Sequence, residues 1–245
     1  MSGSGPLVKV VKSVLIPLLL LFSNADLNAA NSERRLQVLQ GLIPQVLAAS
    51  ESYGIPSWLI VGVLADEVER AGLEDGPLFQ GHDMDEYIRI VLDPRLDEPE
   101  RKTSLTALVK HVETFYGKSM GSISFGLAQM QPTVVGSLIS AGYLAKPDLP
   151  SHPYKNDLFH HLYMLSKNEW APVLVAARLK QICDHWLKSA ENVDLTKNWA
   201  VVASLYSIGL EGRKGVTKNP IPSQRGARIV QRQREWQELI ENAPR

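Results

Sequence analysis

Glu67 is the residue of this chain whose type and position best suit acid–base chemistry. In segment 57–71 the apolar residues recur every three or four positions, which predicts a helix with Glu67 on its apolar face. A carboxyl group among aliphatic side chains is poorly solvated when ionised, so its pKa rises and it can protonate a leaving-group oxygen. The same spacing predicts that Asp66 and Glu69 face solvent. The alternative is that Glu67 is a helix-edge residue paired with an arginine, either Arg70 or one from elsewhere in the chain.

A second group of residues with suitable chemistry lies further along the chain. Residues 121–132 read GSISFGLAQMQP. Gly126 would let the backbone approach a sugar closely, and Gln129 carries both a hydrogen-bond donor and an acceptor. Tyr206 combines an apolar ring face with a hydroxyl group that could reach Glu67 or a ligand. Each has a structural alternative, because Gly126 can serve a turn, Gln129 can cap the next helix, and Tyr206 can belong to the core.

These segments resemble the SLT-type lytic transglycosylase branch of the lysozyme-like superfamily. In that family a helix of the form P-x-L-L-x-A-I-A-x-x-E-S carries the catalytic acid. Glu67 matches this Glu when one residue is inserted between Pro56 and Leu59. The second family motif, G-A-x-G-L-M-Q-x-x-P, matches residues 126–132 at its Gly, Leu, Gln and Pro positions.

A third family motif, A-Y-N-A-G, aligns with residues 205–209, where Tyr206 and Gly209 match. Three motifs in the family order are more specific than any one of them, and the resemblance spans roughly residues 40–210. It implies that Glu67 is the catalytic acid and base. It also implies substrate-binding roles for Ser124, Gly126, Leu127, Gln129 and Tyr206.

The sequence departs from the family pattern in the neighbourhood of these motifs. Val68 follows Glu67 where the family has Ser, which removes a hydrogen bond that holds the active-site loop. Ser122 and Ser124 are the candidates to replace that bond. Ser207 stands where the family has Asn.

Segment 73–118 makes the chain longer than compact family members and is predicted to be an insertion or lid. The resemblance implies a peptidoglycan lytic transglycosylase that cleaves the β-1,4 bond between N-acetylmuramic acid and N-acetylglucosamine with a 1,6-anhydro product. One alternative is a muramidase of the same fold with a second carboxylate from segment 73–118. Another is a non-catalytic lysozyme-like module that binds glycan or an envelope partner. The acids available in the segment are Glu74, Asp75, Asp83, Asp85, Asp93 and Asp97.

The elements that must position these residues are predicted to be helices, since no strand alternation or hairpin series is present. The expected fold class is mainly α, of the α+β lysozyme-like kind, as a single compact helical domain over residues 32–245 with an active-site cleft. A helix capped by Asp194 is predicted to end at Ile208. The other helices are predicted at 33–53, 57–71, 84–92, 103–116, 132–142, 154–168, 172–190 and 223–241.

Composition narrows the classes of function. The 245 residues include 26 Lys and Arg against 26 Asp and Glu, so no net positive charge favours nucleic acid as a partner. The lone Cys183 excludes an internal disulfide and a cysteine-based zinc site. The transglycosylase scheme needs neither a metal nor an organic cofactor. The expected partners are peptidoglycan glycan strands and, as one of several settings, a secretion or envelope complex.

Residues 1–31 differ from the rest of the chain. Lys9 and Lys12 precede an apolar run over 14–22, and a polar stretch of small residues follows it. This order is typical of a secretory signal peptide, which predicts export to the periplasm or the extracellular space. The alternatives are an uncleaved membrane anchor and an apolar tail docked on the domain.

Overall fold

Most of the described chain is helical. The computed structural model describes residues 37–74, 90–91, 93, 95–147 and 157–243. Within these ranges no β-strand occurs, and β pairing is limited to an isolated antiparallel bridge between Phe125 and Met130. The predicted mainly α class is confirmed, whereas the β part of the α+β expectation has no counterpart in the described ranges. The helices are α1 (Ile43–Tyr53), α2 (Ser57–Glu74), α3 (Glu98–Tyr116), α4 (Pro132–Ser140), α5 (Asp157–Ser166), α6 (Ala171–Lys188), α7 (Trp199–Ile208), α8 (Gln224–Gln231) and α9 (Gln233–Glu241).

Two helices begin at other residues than predicted, because a proline or a capping residue sets the start of the helix. The segment predicted as one helix over 33–53 is interrupted at Leu42, since Pro44 in the first turn of α1 has no N–H to donate. Helix α3 begins before the predicted position 103 because Asp97 and Glu100 form a capping box.

Two predictions near the C-terminus were wrong in their boundaries. Asp194 caps the short 3₁₀ turn Leu195–Lys197, and Asn198 caps α7 instead. The predicted helix over 223–241 is two helices, α8 and α9, which meet at Arg232. Both helices pack against α2.

Helix α6 lies at the centre of the core and packs against α1, α2 and α7. Its apolar residues recur at three- and four-residue spacing, which predicts an apolar stripe on one face, and this stripe is buried. Each square ångström of apolar surface removed from water contributes about 25 cal/mol, so this stripe is a main source of stability. The indole Nε1 of Trp186 donates to the carbonyl oxygen of Leu210 at 2.6 Å and ties the segment after α7 to α6. The stripe comprises Val175, Leu179, Ile182, Cys183 and Trp186.

Helix α2 is buried more completely than the sequence pattern predicted, because helices α1, α6, α8 and α9 all pack against it. Asp66, predicted to face solvent, is only 1% exposed, so that prediction was wrong. Periodicity identifies the most apolar face of a helix, whereas here a polar face is also covered, by helices that carry arginines. Glu69 lies at the edge of this interface, partly exposed, with its carboxylate 2.9 Å from Arg232.

Gly226 permits the close crossing of α8 and α7. A Cβ atom at this position would overlap the carbonyl oxygen of Ala200 and the hydroxyl of Ser204. We expect Gly226→Ala to lower the free energy of unfolding by about 1–3 kcal/mol or more, because α8 must move away from α7. Gly41→Ala is the matched control in a helical position with open space around it, and it is expected to be neutral or stabilising. Urea unfolding measures both, and equal losses in the two variants would contradict the prediction.

The structure describes only part of segment 73–118, which was predicted to be an insertion or lid. The helix predicted over 84–92 lies outside the described residues, apart from helical positions 90–91. Arg101 of α3 is buried and donates to the carbonyl oxygens of Ile90 and Asp93, which anchors these residues to α3.

The N-terminal prediction lies outside the described residues, because these begin at position 37. Among the helices that the structure describes, none combines the length and hydropathy required to cross a bilayer.

Candidate active site

The loop before α4 is a tight turn closed by backbone hydrogen bonds. Phe125 N donates to Met130 O at 3.0 Å, and Met130 N donates to Phe125 O at 3.2 Å. Two residues inside the turn have left-handed backbone conformations, Gly126 with φ 69° and Gln129 with φ 45°. A non-glycine residue in this region is uncommon and is often found at functional sites. The turn therefore presents its side chains on a constrained backbone.

Gly126 serves the packing of this loop against α5. A Cβ atom there would overlap the carbonyl oxygen of Leu165, near the end of α5. The missing side chain is thus explained by this close approach and by the left-handed backbone at Gly126, which is consistent with the alternative that Gly126 serves a turn. Leu127 is partly buried and packs against the hydrophobic core.

Tyr206 and Gln129 hold the loop in place. The Tyr206 hydroxyl donates to the carbonyl oxygen of Ala128 at 2.6 Å, which joins α7 to the loop. The Gln129 side chain donates from Nε2 to the carbonyl oxygen of Gly126 at 2.9 Å. Burial and the nearby charge of Glu67 hold the pKa of Tyr206 well above its ordinary 10.0, so the hydroxyl keeps its proton.

Glu67 is a buried carboxyl group with Arg225 at ion-pair distance. The residue is 6% exposed, and its Oε1 lies 2.7 Å from Nη2 of Arg225. Desolvation raises the pKa of Glu67, and the opposing effects of Arg225 and Arg70 do not cancel it. The proton is therefore retained to higher pH than in an ordinary glutamic acid, while Arg225 stabilises the carboxylate left after proton release.

Arg225 reaches this site from α8, and the sequence analysis did not identify it. Its guanidinium also donates to Asp66 and to the hydroxyl of Ser207. Arg228 donates to the other carboxylate oxygen of Asp66. Asp66 is thus an anchor that holds Arg225 beside Glu67, and it was predicted to face solvent only because its arginine partners are distant in sequence.

A signal for these arginines was present in the sequence. Arg225, Arg228 and Arg232 recur at three- and four-residue spacing, as expected for one face of a helix. Asp66 and Glu69 have the same spacing in α2. Matching basic and acidic faces on two predicted helices could have suggested that these helices pair.

The side chains around Glu67 line a cleft with a volume of about 460 Å³. Of the residues predicted as functional, Glu67, Ser124, Gln129 and Tyr206 line this cleft, whereas Gly126 and Leu127 do not. Among the described residues of the wall, Glu67 carries the one carboxyl group. Hydroxyl, amide and guanidinium groups complete a polar surface suited to a ligand rich in hydroxyl and amide groups. These further wall residues include Arg70, Arg178, Ser207 and Arg225.

Other reactive side chains lie outside the cleft wall. Burial raises the pKa of the Cys183 thiol to about 11, consistent with an inert thiol in the apolar stripe of α6. His185 Nε2 lies 3.3 Å from Glu211 Oε1. In the part of the chain that the structure describes, no group of three or more His, Cys, Asp or Glu is placed to hold a metal ion.

The site combines a buried carboxyl group of raised pKa with a polar cleft in a helical protein, an arrangement that general acid–base chemistry requires. Comparisons with protein-family models, with curated proteins and with solved structures find no match for this chain. The proposed function therefore depends on the geometry of the cleft and on the three sequence motifs.

Removing the charge of Arg225 is expected to raise the pKa of Glu67 further, because Arg225 lowers that pKa by its charge and by its hydrogen bond. Protonated Glu67 would then persist to still higher pH. NMR titration of labelled glutamate carboxyl groups in Arg225→Gln and in the native chain measures this shift. Arg232→Gln, which alters the Glu69 pair, is the control. A lower pKa of Glu67 in Arg225→Gln would contradict the expectation.

Proposed function

We propose that this protein is a lytic transglycosylase that cleaves the β-1,4 bond between N-acetylmuramic acid and N-acetylglucosamine of peptidoglycan. The observation that carries the proposal is Glu67, a buried carboxyl group with a raised pKa in the wall of a polar cleft. Gln129 and Tyr206, which belong to the other two family-like motifs, line the same cleft. These residues, far apart in sequence, thus line one cleft, which supports the proposal.

In the proposed reaction Glu67 acts first as an acid and then as a base. It donates its proton to the bridging oxygen while the bond from that oxygen to C1 of the muramic acid breaks. The N-acetyl group of the same sugar stabilises the positive charge at C1. Glu67, now a carboxylate held by Arg225, takes the proton of the 6-hydroxyl group, and that oxygen bonds to C1. The 1,6-anhydro ring closes without water, and Glu67 regains its proton.

The proposed scheme uses a single carboxyl group, and Glu67 supplies it in the described part of the cleft wall. Glycoside hydrolases commonly use a pair of acids that flank the bond. Of the acids considered for a muramidase, Asp93 pairs with Arg95 at 2.8 Å and Asp97 caps α3. Neither lines the cleft. The other four, outside the residues whose side chains the structure describes, are Glu74, Asp75, Asp83 and Asp85.

The proposal is tested by incubating the full chain with purified peptidoglycan in oxygen-18 water and weighing the soluble products by mass spectrometry. Transglycosylation yields muropeptides lighter by one water than hydrolysis products, without the heavy oxygen. Reducing-end products that carry the heavy oxygen would show a muramidase and contradict the proposal. The proposed substrate lies in the cell envelope, so the proposal includes export of the chain.

A non-catalytic glycan-binding module is the second candidate, because the chain departs from the family pattern at Ser207. This residue stands where the family has Asn, and its hydroxyl accepts a hydrogen bond from Arg225. Sedimentation of the chain with insoluble peptidoglycan, without any soluble product, would favour this module over the enzyme.

A further inference from the structure

A second cavity adjoins the cleft and lengthens it beyond Glu67. This cavity has a volume of about 480 Å³ and reaches Glu211 and Gly212. It shares four wall residues with the Glu67 cleft, so the two form neighbouring parts of one groove. A groove of this extent is suited to more than one unit of a polymer. The shared residues are Val134, Arg178, Ile208 and Gly209.

Arg178 lies at the junction of the two parts of the groove and differs in its partners from Arg225, the partly exposed arginine beside Glu67. It is 7% exposed, and its Nη1 donates to the side-chain oxygen of Gln181 at 2.6 Å, which is a neutral partner. No carboxylate among the described residues forms an ion pair with it. Arg225, by contrast, contacts the carboxylates of both Asp66 and Glu67.

A buried guanidinium without an opposite charge is unfavourable for the unliganded protein. Removing such an ion from water costs several kcal/mol unless an opposite charge and hydrogen bonds offset the loss. Burial accordingly lowers the pKa of Arg178. A buried charge that lacks an opposite charge in the protein is expected where a ligand supplies that charge.

We propose that Arg178 binds a carboxylate of the substrate, so that the groove selects acidic glycans over neutral ones. This inference rests on the proposed function. The planar fork of a guanidinium matches a carboxylate through two parallel hydrogen bonds. In peptidoglycan this chemistry has two sources: the lactyl carboxylate of muramic acid without its peptide, and the carboxylates of the peptide stem.

Isothermal titration with three probes of equal glycan length tests the inference. The probes are a neutral N-acetylglucosamine oligomer, a peptide-free oligomer with free lactyl carboxylates, and an oligomer with peptide stems. The full chain carries Glu67→Gln so that the probes stay intact. We expect one or both acidic probes to bind about 10- to 100-fold more tightly than the neutral oligomer. The probe that shows the gain identifies the source of the carboxylate.

Arg178→Met should abolish the preference, so that the acidic and neutral probes bind this variant with equal affinity. Arg178→Lys should keep part of the preference, because it retains the charge without the fork. Lys180→Met is the matched control, since this cation of the same helix pairs with Asp184. The melting temperature of unliganded Arg178→Met should equal or exceed that of the parent, because the variant removes a buried charge that has no carboxylate partner among the described residues.

A lower melting temperature with equal loss of affinity for all probes would show a purely structural arginine and overturn the inference. Equal affinities of the parent chain for all three probes would overturn it as well, while leaving the proposed function intact. Failure of all three glycans to bind would overturn both the inference and the proposed function.

Discussion

Glu67→Gln is expected to lower the rate of peptidoglycan cleavage by about 10²–10⁴-fold. The amide cannot give a proton to the bridging oxygen or take one from the 6-hydroxyl group. Since Gln and Glu have nearly the same shape, the glycan should still enter the cleft, and the loss should appear in kcat more than in KM. The release of soluble muropeptides over time, at several substrate concentrations, measures both constants.

Glu69→Gln is the matched control, because it makes the same change two positions along α2 without touching the cleft wall. Its rate should equal that of the native chain. The melting temperature of Glu67→Gln should not fall. The pKa of Glu67 is raised in the folded state, so its ionised form opposes folding as the pH rises through that pKa, and a neutral amide avoids this loss. A Glu67→Gln chain that cleaves at the native rate would exclude Glu67 as the acid.

Asp66→Asn is expected to lower the free energy of unfolding by about 3–5 kcal/mol. The Asp66 carboxylate is buried between α2 and α8 and contacts the guanidinium groups of Arg225 and Arg228. Removing its charge leaves Arg225 largely buried with Glu67 as its remaining acidic partner. The loss should therefore be much larger than for a surface pair.

Urea unfolding compares Asp66→Asn with Glu238→Gln, which breaks the exposed pair between Arg234 and Glu238. The control should change the free energy of unfolding by less than about 1 kcal/mol. Equal effects of the two substitutions would show that the Asp66 cluster contributes no more than a surface ion pair. A smaller slope with urea in Asp66→Asn alone would indicate that α8 had already separated from α2.

The periodicity of α2 and α6 predicted their inner faces correctly, because apolar side chains at three- and four-residue spacing must be covered in a helical protein. Glu67 was therefore expected to be poorly solvated, and it is buried with a raised pKa. The same reasoning failed for Asp66. A polar residue on the outer face can be buried by an element distant in sequence, and local spacing contains no information about that element.

The errors in the predicted helix boundaries also have local causes in some places and tertiary causes in others. Pro44 and the Asp97 capping box are local signals, and their effects on α1 and α3 could have been read from the sequence. The break between α8 and α9 at Arg232 has no proline or glycine to mark it. It lies where Trp236 is buried and Arg232 stacks on its ring at 4.3 Å, a contact that depends on the tertiary packing.

The sequence by itself determined the helical class, the apolar stripes, and the placement of Glu67 on the apolar face of its helix. These features depend on residue types at short spacing. Only the tertiary structure decided which partners surround that carboxyl group. Arg225 beside Glu67, Asp66 as the anchor of Arg225, and the buried Arg178 without a carboxylate partner among the described residues all arise where helices distant in sequence cross. The charge environment of a buried acid depends on such crossings.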